Sequence, residues 1–168
     1  SKIYLLATED YNDAIEGCEI VKIDSLQSSA TVKKIAELSD AEYSLIYTKY
    51  TTLELGYFAL ERMVNLADDS QASMLYADHY QITDGVKKAS PVIDYQFGSL
   101  RDDFNFGSVL FYNAAALKCG ASRMKQDYQF AGLYDLRLKV AQKGELCHIN
   151  EYLYTEIEHD NRKSGAKI

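Results

Sequence analysis

Short apolar segments alternate with amphipathic ones along this chain. The apolar segments have the length and the β-branched or aromatic content of strands and lie at 3–7, 19–23, 43–47, 73–77, 108–112, 146–149 and 152–155. The amphipathic segments repeat apolar residues three and four positions apart and lie at 28–38, 56–67, 114–119 and 133–142. This alternation predicts an α/β fold with a mostly parallel sheet, whose central strands are 3–7, 43–47, 73–77 and 108–112.

Local signals refine these elements. Ser25 or Ser28 can cap the first helix, and Gly120 and Gly144 are expected to end the third and fourth. The second helix should bury one face, formed by Leu60, Met63, Val64 and Ala67. The segment 43–47 is expected to be a buried strand. Segment 81–101 holds the only proline and several turn residues, which indicates a long loop, with room for a hairpin, of the kind that often binds ligands.

Composition places the chain among globular proteins and reduces the classes of partner that it is expected to bind. Its 168 residues suit one domain, with 47% hydrophobic and 26% charged residues. A net charge of −7 argues against binding to nucleic acid. No apolar run approaches the ~20 residues of an integral membrane segment and no secretory signal is visible, so we expect a cytoplasmic protein. The three cysteines are scattered, which favours buried thiols over a disulfide or zinc site.

Short catalytic motifs are missing from the sequence. It contains no GxGxxG, Walker lysine loop, GxSxG or HExxH. The histidines His79, His148 and His159 are far apart in sequence, which favours structural or surface roles. Fourteen tyrosines without tryptophan suit either half-buried strands or sugar-stacking sites, and composition leaves both open.

Longer stretches resemble family 2 glycosyltransferases. In segment 39–80, Glu42 and Tyr43 lead into the strand LIY, a helix ALERMV follows, and a second strand ends in YAD. Segment 131–140 resembles the family's second landmark, an acidic pair followed by a helix of the form YDLWLRL, and segment 148–154 resembles its closing strand, HIPEVLY. The strings GLYDLRL and HINEYLYTE are especially similar to a group of glycosyltransferase-like proteins from Bacteroidetes.

The resemblance implies a fold, a domain and partners. The fold would be GT-A-like, a three-layer sandwich with a mixed, mostly parallel central sheet, and residues 1–155 would form this domain without its first strand–helix unit. Residues 156–168 would be a polar tail or the start of a linker to a neighbouring transferase domain. A nucleoside diphosphate sugar would bind at the carboxyl ends of the strands, with a glycan as a possible acceptor.

Two landmarks of the family are altered here. Where its DXD motif would hold a divalent metal, this chain has Thr48, Lys49 and Tyr50, which offer no carboxylate. We therefore expect no metal cofactor. At the second landmark Gly132 and Leu133 replace the acidic pair, so the family's catalytic base is missing.

Several residues are candidates for the remaining chemistry. Lys49, flanked by Thr48 and Tyr50, would neutralise a diphosphate in place of the metal, or is a solvated loop lysine. Asp78 and His79 follow a strand and would also contact the nucleotide sugar, unless Asp78 only caps a turn. The acceptor-side candidates, or else a surface charge cluster, are Arg101, Asp102 and Asp103.

Asp135 is the candidate catalytic residue, although a carboxylate in the first turn of a helix is favourable whatever the function. Two functions stay open. One is transfer of a sugar from a nucleoside diphosphate sugar to a glycan, lipid or protein acceptor. The other is a catalytically degenerate domain that binds or scaffolds beside an active transferase domain.

Overall fold

The computed structural model describes residues 1–96 and 104–159. In chain order the elements are β1 (Ile3–Ala7), β2 (Cys18–Lys22), α1 (Ser29–Leu38), β3 (Tyr43–Tyr47), β4 (Thr52–Leu55), α2 (Ala59–Ser70), β5 (Met74–Thr83), β6 (Val86–Ser90), β7 (Val109–Asn113), α3 (Ala114–Ser122), α4 (Gly132–Ala141) and β8 (Leu146–Glu158). The chain divides into two compact units, which we name the helical unit (1–44 with 113–144) and the sheet unit (45–112 and from 145 onward).

The helical unit combines a small sheet with three helices. Strands β1 and β2 pair in parallel from Ile3 opposite Cys18 to Ala7 opposite Lys22. Helices α1, α3 and α4 pack against one another. The side chain of Ser28 accepts a hydrogen bond from the Thr31 N–H, so the predicted cap of the first helix is confirmed.

The sheet unit is built around a mixed sheet in the order β3-β7-β5-β8-β4, with β6 paired to β5. Strand β5 runs antiparallel to β6 and β7 and parallel to β8, and β4 runs antiparallel to β8. Helix α2 packs on β5 and β8 through Ala59, Met63 and Ala67, which are all buried. The prediction of which residues form the buried face of α2 is wrong in part, because Leu60 and Val64 are exposed.

The predicted three-layer GT-A-like sandwich with a mostly parallel sheet is therefore wrong. Of the strand pairs within the larger sheet whose direction is given above, three are antiparallel and one is parallel. The chain reverses at Asp84 and Gly85, which both have positive φ, and returns as β6. Strand β1 pairs with β2 in the separate two-stranded sheet, instead of joining the central sheet as predicted. The alternation of apolar and amphipathic segments indicates which elements form, but the direction in which two strands pair depends on these long-range connections.

Individual elements were predicted more accurately than their pairing. Several elements lie within one or two residues of the predicted bounds: strands β1 and β3, the starts of β5 and β7, and helices α1 and α4. Only Ile46 of β3 is buried, so the prediction of a buried strand was wrong. Strand β4 was not predicted, and β8 is one continuous strand where two were expected. It runs through Glu158, past the predicted domain end at residue 155.

Helix α3 does not end at Gly120 as predicted, but continues to Ser122. A Cβ atom added to Gly120 would lie 2.9 Å from Val140 Cγ2, which shows how closely α3 and α4 approach at this point. No helix within residues 1–96 and 104–159 is long and apolar enough to cross a bilayer.

Candidate functional site

The residues after β3, predicted to bind the donor phosphates, form a tightly held turn. Both the N–H and the hydroxyl of Thr48 donate hydrogen bonds to the carbonyl oxygen of Ser108, at 2.9 and 3.2 Å. The hydroxyls of Tyr47 and Thr51, 2.7 Å apart, bridge the two sides of the turn. Tyr50 is almost fully exposed. Thr48 therefore fixes the position of Lys49, the predicted phosphate ligand.

Lys49 is not an unpaired cation. Its Nζ lies 2.5 Å from Glu156 Oε2, and the side chain of Glu156 is only 6% exposed whereas that of Lys49 is 44% exposed. The Ser108 hydroxyl donates a short hydrogen bond to the other oxygen of the same carboxylate. The amide nitrogen of Gln81 lies 3.3 Å from Glu156 Oε2. A buried carboxylate thus receives hydrogen bonds from three side chains.

These hydrogen bonds keep Glu156 ionised. Burial tends to raise the pKa of Glu156, but the hydrogen bonds from Lys49 and Ser108 outweigh burial, so its pKa lies below the ordinary value. His79 Nε2 is 3.4 Å from Glu156 Oε1, a contact that favours the charged ring. Burial outweighs this attraction and lowers the pKa of His79, so the ring is neutral at neutral pH.

His79 is fixed by packing. Its ring stacks on Tyr154 with centroids 4.8 Å apart, and its Nδ1 has no hydrogen-bond partner among the described residues. The Tyr154 hydroxyl accepts hydrogen bonds from the N–H groups of Ser108 and Val109. Gly107 makes this possible, because it has a φ of 75° and a Cβ there would lie 2.3 Å from the Tyr154 hydroxyl. The base of the site is therefore rigid.

A small polar cavity opens beside the Lys49–Glu156 pair. It encloses about 100 Å³ and is lined by Lys49, Thr51, Gln81, Ile82, Thr83, Glu156 and Glu158. Small-molecule sites usually measure about 300–1,000 Å³, so this cavity can hold one small polar group or part of a larger ligand. Its wall carries one ammonium and two carboxyl groups, together with hydroxyls and an amide.

This arrangement suits a neutral hydroxylated ligand better than a diphosphate. The charge of Lys49 is already compensated by Glu156, and Glu158 adds a second acidic group to the wall. Two phosphate groups would need additional cations, whereas sugar hydroxyls can both donate to carboxylates and accept from the ammonium and amide.

Asp78 and His79 follow each other in sequence but face opposite sides of the sheet. His79 faces Glu156, whereas one Asp78 oxygen lies 2.8 Å from His148 Nε2 and accepts from the Val92 N–H at 2.9 Å. Strand alternation separates such neighbours. The structure thus brings Lys49 and His79 together around Glu156 and places Asp78 in a second cluster with His148.

Asp135, the predicted catalytic residue, lies in the helical unit in the first turn of α4. Its carboxylate is 3.8 Å from Lys139 Nζ, one helical turn further on. Gly132, at the position where the resemblance led us to look for an acidic residue, lies against the backbone of Gln27 and Ser28, and a Cβ there would be 2.6 Å from the Ser28 carbonyl carbon. This helix start has no room for a carboxylate side chain at position 132.

The acceptor-side candidates Arg101, Asp102 and Asp103 lie outside the described residues. Within residues 1–96 and 104–159, no group of three or more His, Cys, Asp and Glu side chains is placed to hold a metal ion. That no metal cofactor is needed stays a prediction.

Sequence reasoning missed the residue at the centre of the site. Glu156 was assigned to a polar tail, although the alternation of Leu153, Thr155 and Ile157 extends the strand pattern past it. That alternation gives Glu156 no signal of burial, because a charged residue between Thr155 and Ile157 is expected on the polar face. Ser108 and Gln81 carry no signal either, because they belong to the site only through the pairing of β5 with β8 and through β7.

Comparisons with known proteins do not assign the chain to a family: no protein-family model matches it, and no curated protein matches it significantly.

Proposed function

We propose that this chain is a carbohydrate-binding domain whose Lys49–Glu156 cavity holds a hydroxyl-bearing part of a sugar without catalysing its transfer. The observation that carries the proposal is the buried, ionised Glu156, which compensates the charge of Lys49. A site whose ammonium is paired with a buried carboxylate, and which offers both donors and acceptors, recognises hydroxyl groups, each of which donates one hydrogen bond and accepts others. This corresponds to the binding function left open by the sequence.

The size and polarity of the cavity support part of a sugar as the ligand. At about 100 Å³ it is too small to enclose a whole nucleoside diphosphate sugar. The amide of Gln81 and the hydroxyl of Thr51 line the same cavity, so a ligand meets several polar groups. The rest of a glycan would extend into solvent.

Sugar transfer from a nucleoside diphosphate donor is the second candidate function. It is favoured by the resemblance of segments 132–138 and 148–156 to family 2 glycosyltransferases. For Lys49 to compensate donor phosphates, it would have to leave Glu156 and expose a buried carboxylate that no longer has its cation. That step is costly, because an uncompensated buried charge destabilises a protein by about 3–5 kcal/mol.

Thermal shift measurements separate the two functions. The wild type is screened with neutral mono- and oligosaccharides and with UDP-, GDP- and TDP-sugars. A ligand at 100 times its Kd stabilises the folded state by ~2.7 kcal/mol, which should raise the Tm of such a domain by roughly 5 to 10 °C. We expect a shift with a neutral saccharide, and its loss in Gln81→Ala, which removes a cavity donor but keeps the Lys49–Glu156 pair.

Gln142→Ala is the matched control, because Gln142 lies in the helical unit and its side chain contacts Arg123. It should shift as the wild type does. If only nucleotide sugars raise the Tm, and Lys49→Ala abolishes that shift, sugar transfer becomes the better supported function and carbohydrate binding is rejected. Failure of every saccharide and every donor at millimolar concentration would refute both.

A further inference from the structure

On the other face of the sheet, a short segment is held by side chains rather than by strand pairing. We name residues 92–95, which follow β6, the strap. The Val92 N–H donates to Asp78 at 2.9 Å, Tyr76 donates its hydroxyl hydrogen to the Ile93 carbonyl at 3.0 Å, and the Tyr95 N–H donates to the Tyr76 oxygen at 2.7 Å. Strand β5 therefore fastens the strap through Tyr76 and Asp78.

His148 of β8 supplies a further polar contact. Its Nδ1 lies 2.6 Å from Asp94 Oδ1, and its Nε2 lies 2.8 Å from Asp78 Oδ1. The side chain of His148 is 5% exposed and its ring stacks on Tyr76 with an interplanar angle of 8°. One imidazole thus lies between a carboxylate of the sheet and a carboxylate of the strap.

The contacts of His148 with Asp94 and Asp78 depend on how many protons the imidazole ring carries. Ionised carboxylates only accept hydrogen bonds, and a neutral imidazole carries one N–H and one bare nitrogen. Both contacts are hydrogen bonds only when both ring nitrogens carry hydrogen, that is, when the ring is an imidazolium. A neutral ring would place the lone pair of one nitrogen against a carboxylate oxygen.

We propose that His148 is a pH-sensitive latch, which holds the strap to the sheet when the ring is protonated and releases Asp94 when the ring loses its proton. Histidine is the side chain whose charge ordinarily changes between pH 5 and 8. The strap is therefore fastened while the ring is an imidazolium and loosened once the ring is neutral. The proposal does not depend on the carbohydrate site, which lies on the opposite face.

The groups that face the His148 ring support the release of Asp94 on loss of the proton. Asp78 and Tyr76 face it from β5, and Asp94 faces it from the strap. Burial raises the pKa of Tyr76 to about 12, so its phenol keeps its hydrogen and stays neutral across the range. Burial also raises the pKa of Cys147, which precedes His148 on β8, so that thiol adds no charge. Among the described residues, the two carboxylates are thus the charges that bear on the ring.

The two carboxylates differ in how readily they can leave. The side chain of Asp94 is 74% exposed, whereas that of Asp78 is 10% exposed and also accepts from Val92. Because Asp94 can exchange His148 for water, we expect the Asp94 contact to break first. The strap then loses its charge-assisted bond and keeps its hydrogen bonds to Tyr76 and Asp78 and the packing of Tyr95 against Phe104 and Phe106.

Amide hydrogen exchange of Val92 and Tyr95 tests the latch, since both N–H groups are held only while the strap is in place. Exchange is measured at pH 5.5 and pH 8, and protection is taken relative to the intrinsic rate at each pH. We expect protection of these two amides to fall about tenfold at pH 8, the loss of one charge-assisted hydrogen bond. His148→Gln, with a neutral side chain, should show low protection at both pH values.

The Asp94→Asn variant tests the latch even if His148→Gln fails to fold, because it changes only one exposed side chain. It should remove most of the pH dependence and leave the protection of α2 unchanged. His159→Gln is the matched control on a histidine outside the latch, and should behave as the wild type. Equal protection of Val92 and Tyr95 at both pH values in the wild type, or an unchanged pH dependence in Asp94→Asn, would overturn the proposal.

Discussion

At the residue scale, Glu156 connects side chains from three separate segments of the sheet unit. Lys49 follows β3, Ser108 precedes β7, and Gln81 lies on β5. The carboxylate is buried whereas the ammonium is half-exposed, so the two partners do not contribute equally. Removing the cation leaves a charge that cannot reach water, while removing the carboxylate leaves a lysine that can.

Lys49→Met should therefore destabilise the protein more than the exposure of Lys49 suggests. We expect a loss of about 1–2 kcal/mol in the free energy of unfolding, less than the ~3–5 kcal/mol for breaking a fully buried pair, because Lys49 is partly solvated. The double variant Lys49→Met/Glu156→Gln should recover part of that loss, because the uncompensated charge is gone. Urea denaturation at pH 7 measures both. A double variant less stable than Lys49→Met would show that Glu156 is not the buried charge that matters.

At the element scale, the start of α4 is defined by a close backbone contact. The Gly132 N–H donates to the Gln27 carbonyl oxygen at 2.6 Å. The nearest atoms to a Cβ at this position belong to the backbone of Gln27 and Ser28, the segment that caps α1. Gly132 is thus a packing requirement between two helices of the helical unit.

Gly132→Ala should destabilise the protein by about 2 kcal/mol or more, because backbone atoms on both sides must move to admit the methyl group. Gly120→Ala is the matched comparison within α3. Its Cβ would meet side-chain atoms of Val140 and Leu136, which can shift, and alanine favours the helix by about 1 kcal/mol. We therefore expect a change within about 1 kcal/mol for Gly120→Ala. Thermal or urea unfolding of both variants checks the difference, and equal losses would contradict it.

At the scale of the whole molecule, buried ionisable groups determine how stability depends on pH. His79 and Glu156 both have a folded-state pKa below the ordinary value. Each binds fewer protons in the folded state than in the unfolded chain, so the free energy of unfolding rises with pH where these groups titrate. Their stabilisation is complete above the unfolded values, 6.5 for histidine and 4.5 for glutamate, and is lost as the pH falls below them.

We expect the free energy of unfolding to decline from about pH 6.5 downward, first through His79 and then through Glu156, with a slope of at most ~1.4 kcal/mol per pH unit for each proton. Urea denaturation at pH 7.5, 6.5, 5.5 and 4.5 measures the curve. His79→Asn should flatten it between pH 6.5 and 5.5, whatever its effect on absolute stability. The exposed His159→Asn serves as the control. A His79→Asn curve with the same slope as the wild type between pH 6.5 and 5.5 would contradict the assignment of His79 as neutral.

The sequence by itself determined most of the local structure. Ser28 caps α1 as its side-chain chemistry predicts, and β1, β3 and α4 lie close to the segments that periodicity indicated. These features depend on interactions between residues a few positions apart, which the pattern of apolar and polar residues records directly. The same pattern extends through Glu156, so its place in a strand could also have been predicted.

Only the tertiary structure decided how the strands pair and which side chains meet. The mostly parallel sheet failed because pairing direction depends on connections such as the turn at Asp84, and local periodicity is the same for both directions. Lys49 and Glu156 are 107 residues apart, and His148 and Asp94 are 54 apart. No periodic signal links residues at such separations. Their contacts exist because β5, β8 and the strap come together, and that packing gives the chain its Lys49–Glu156 cavity and the contacts of His148 with the strap.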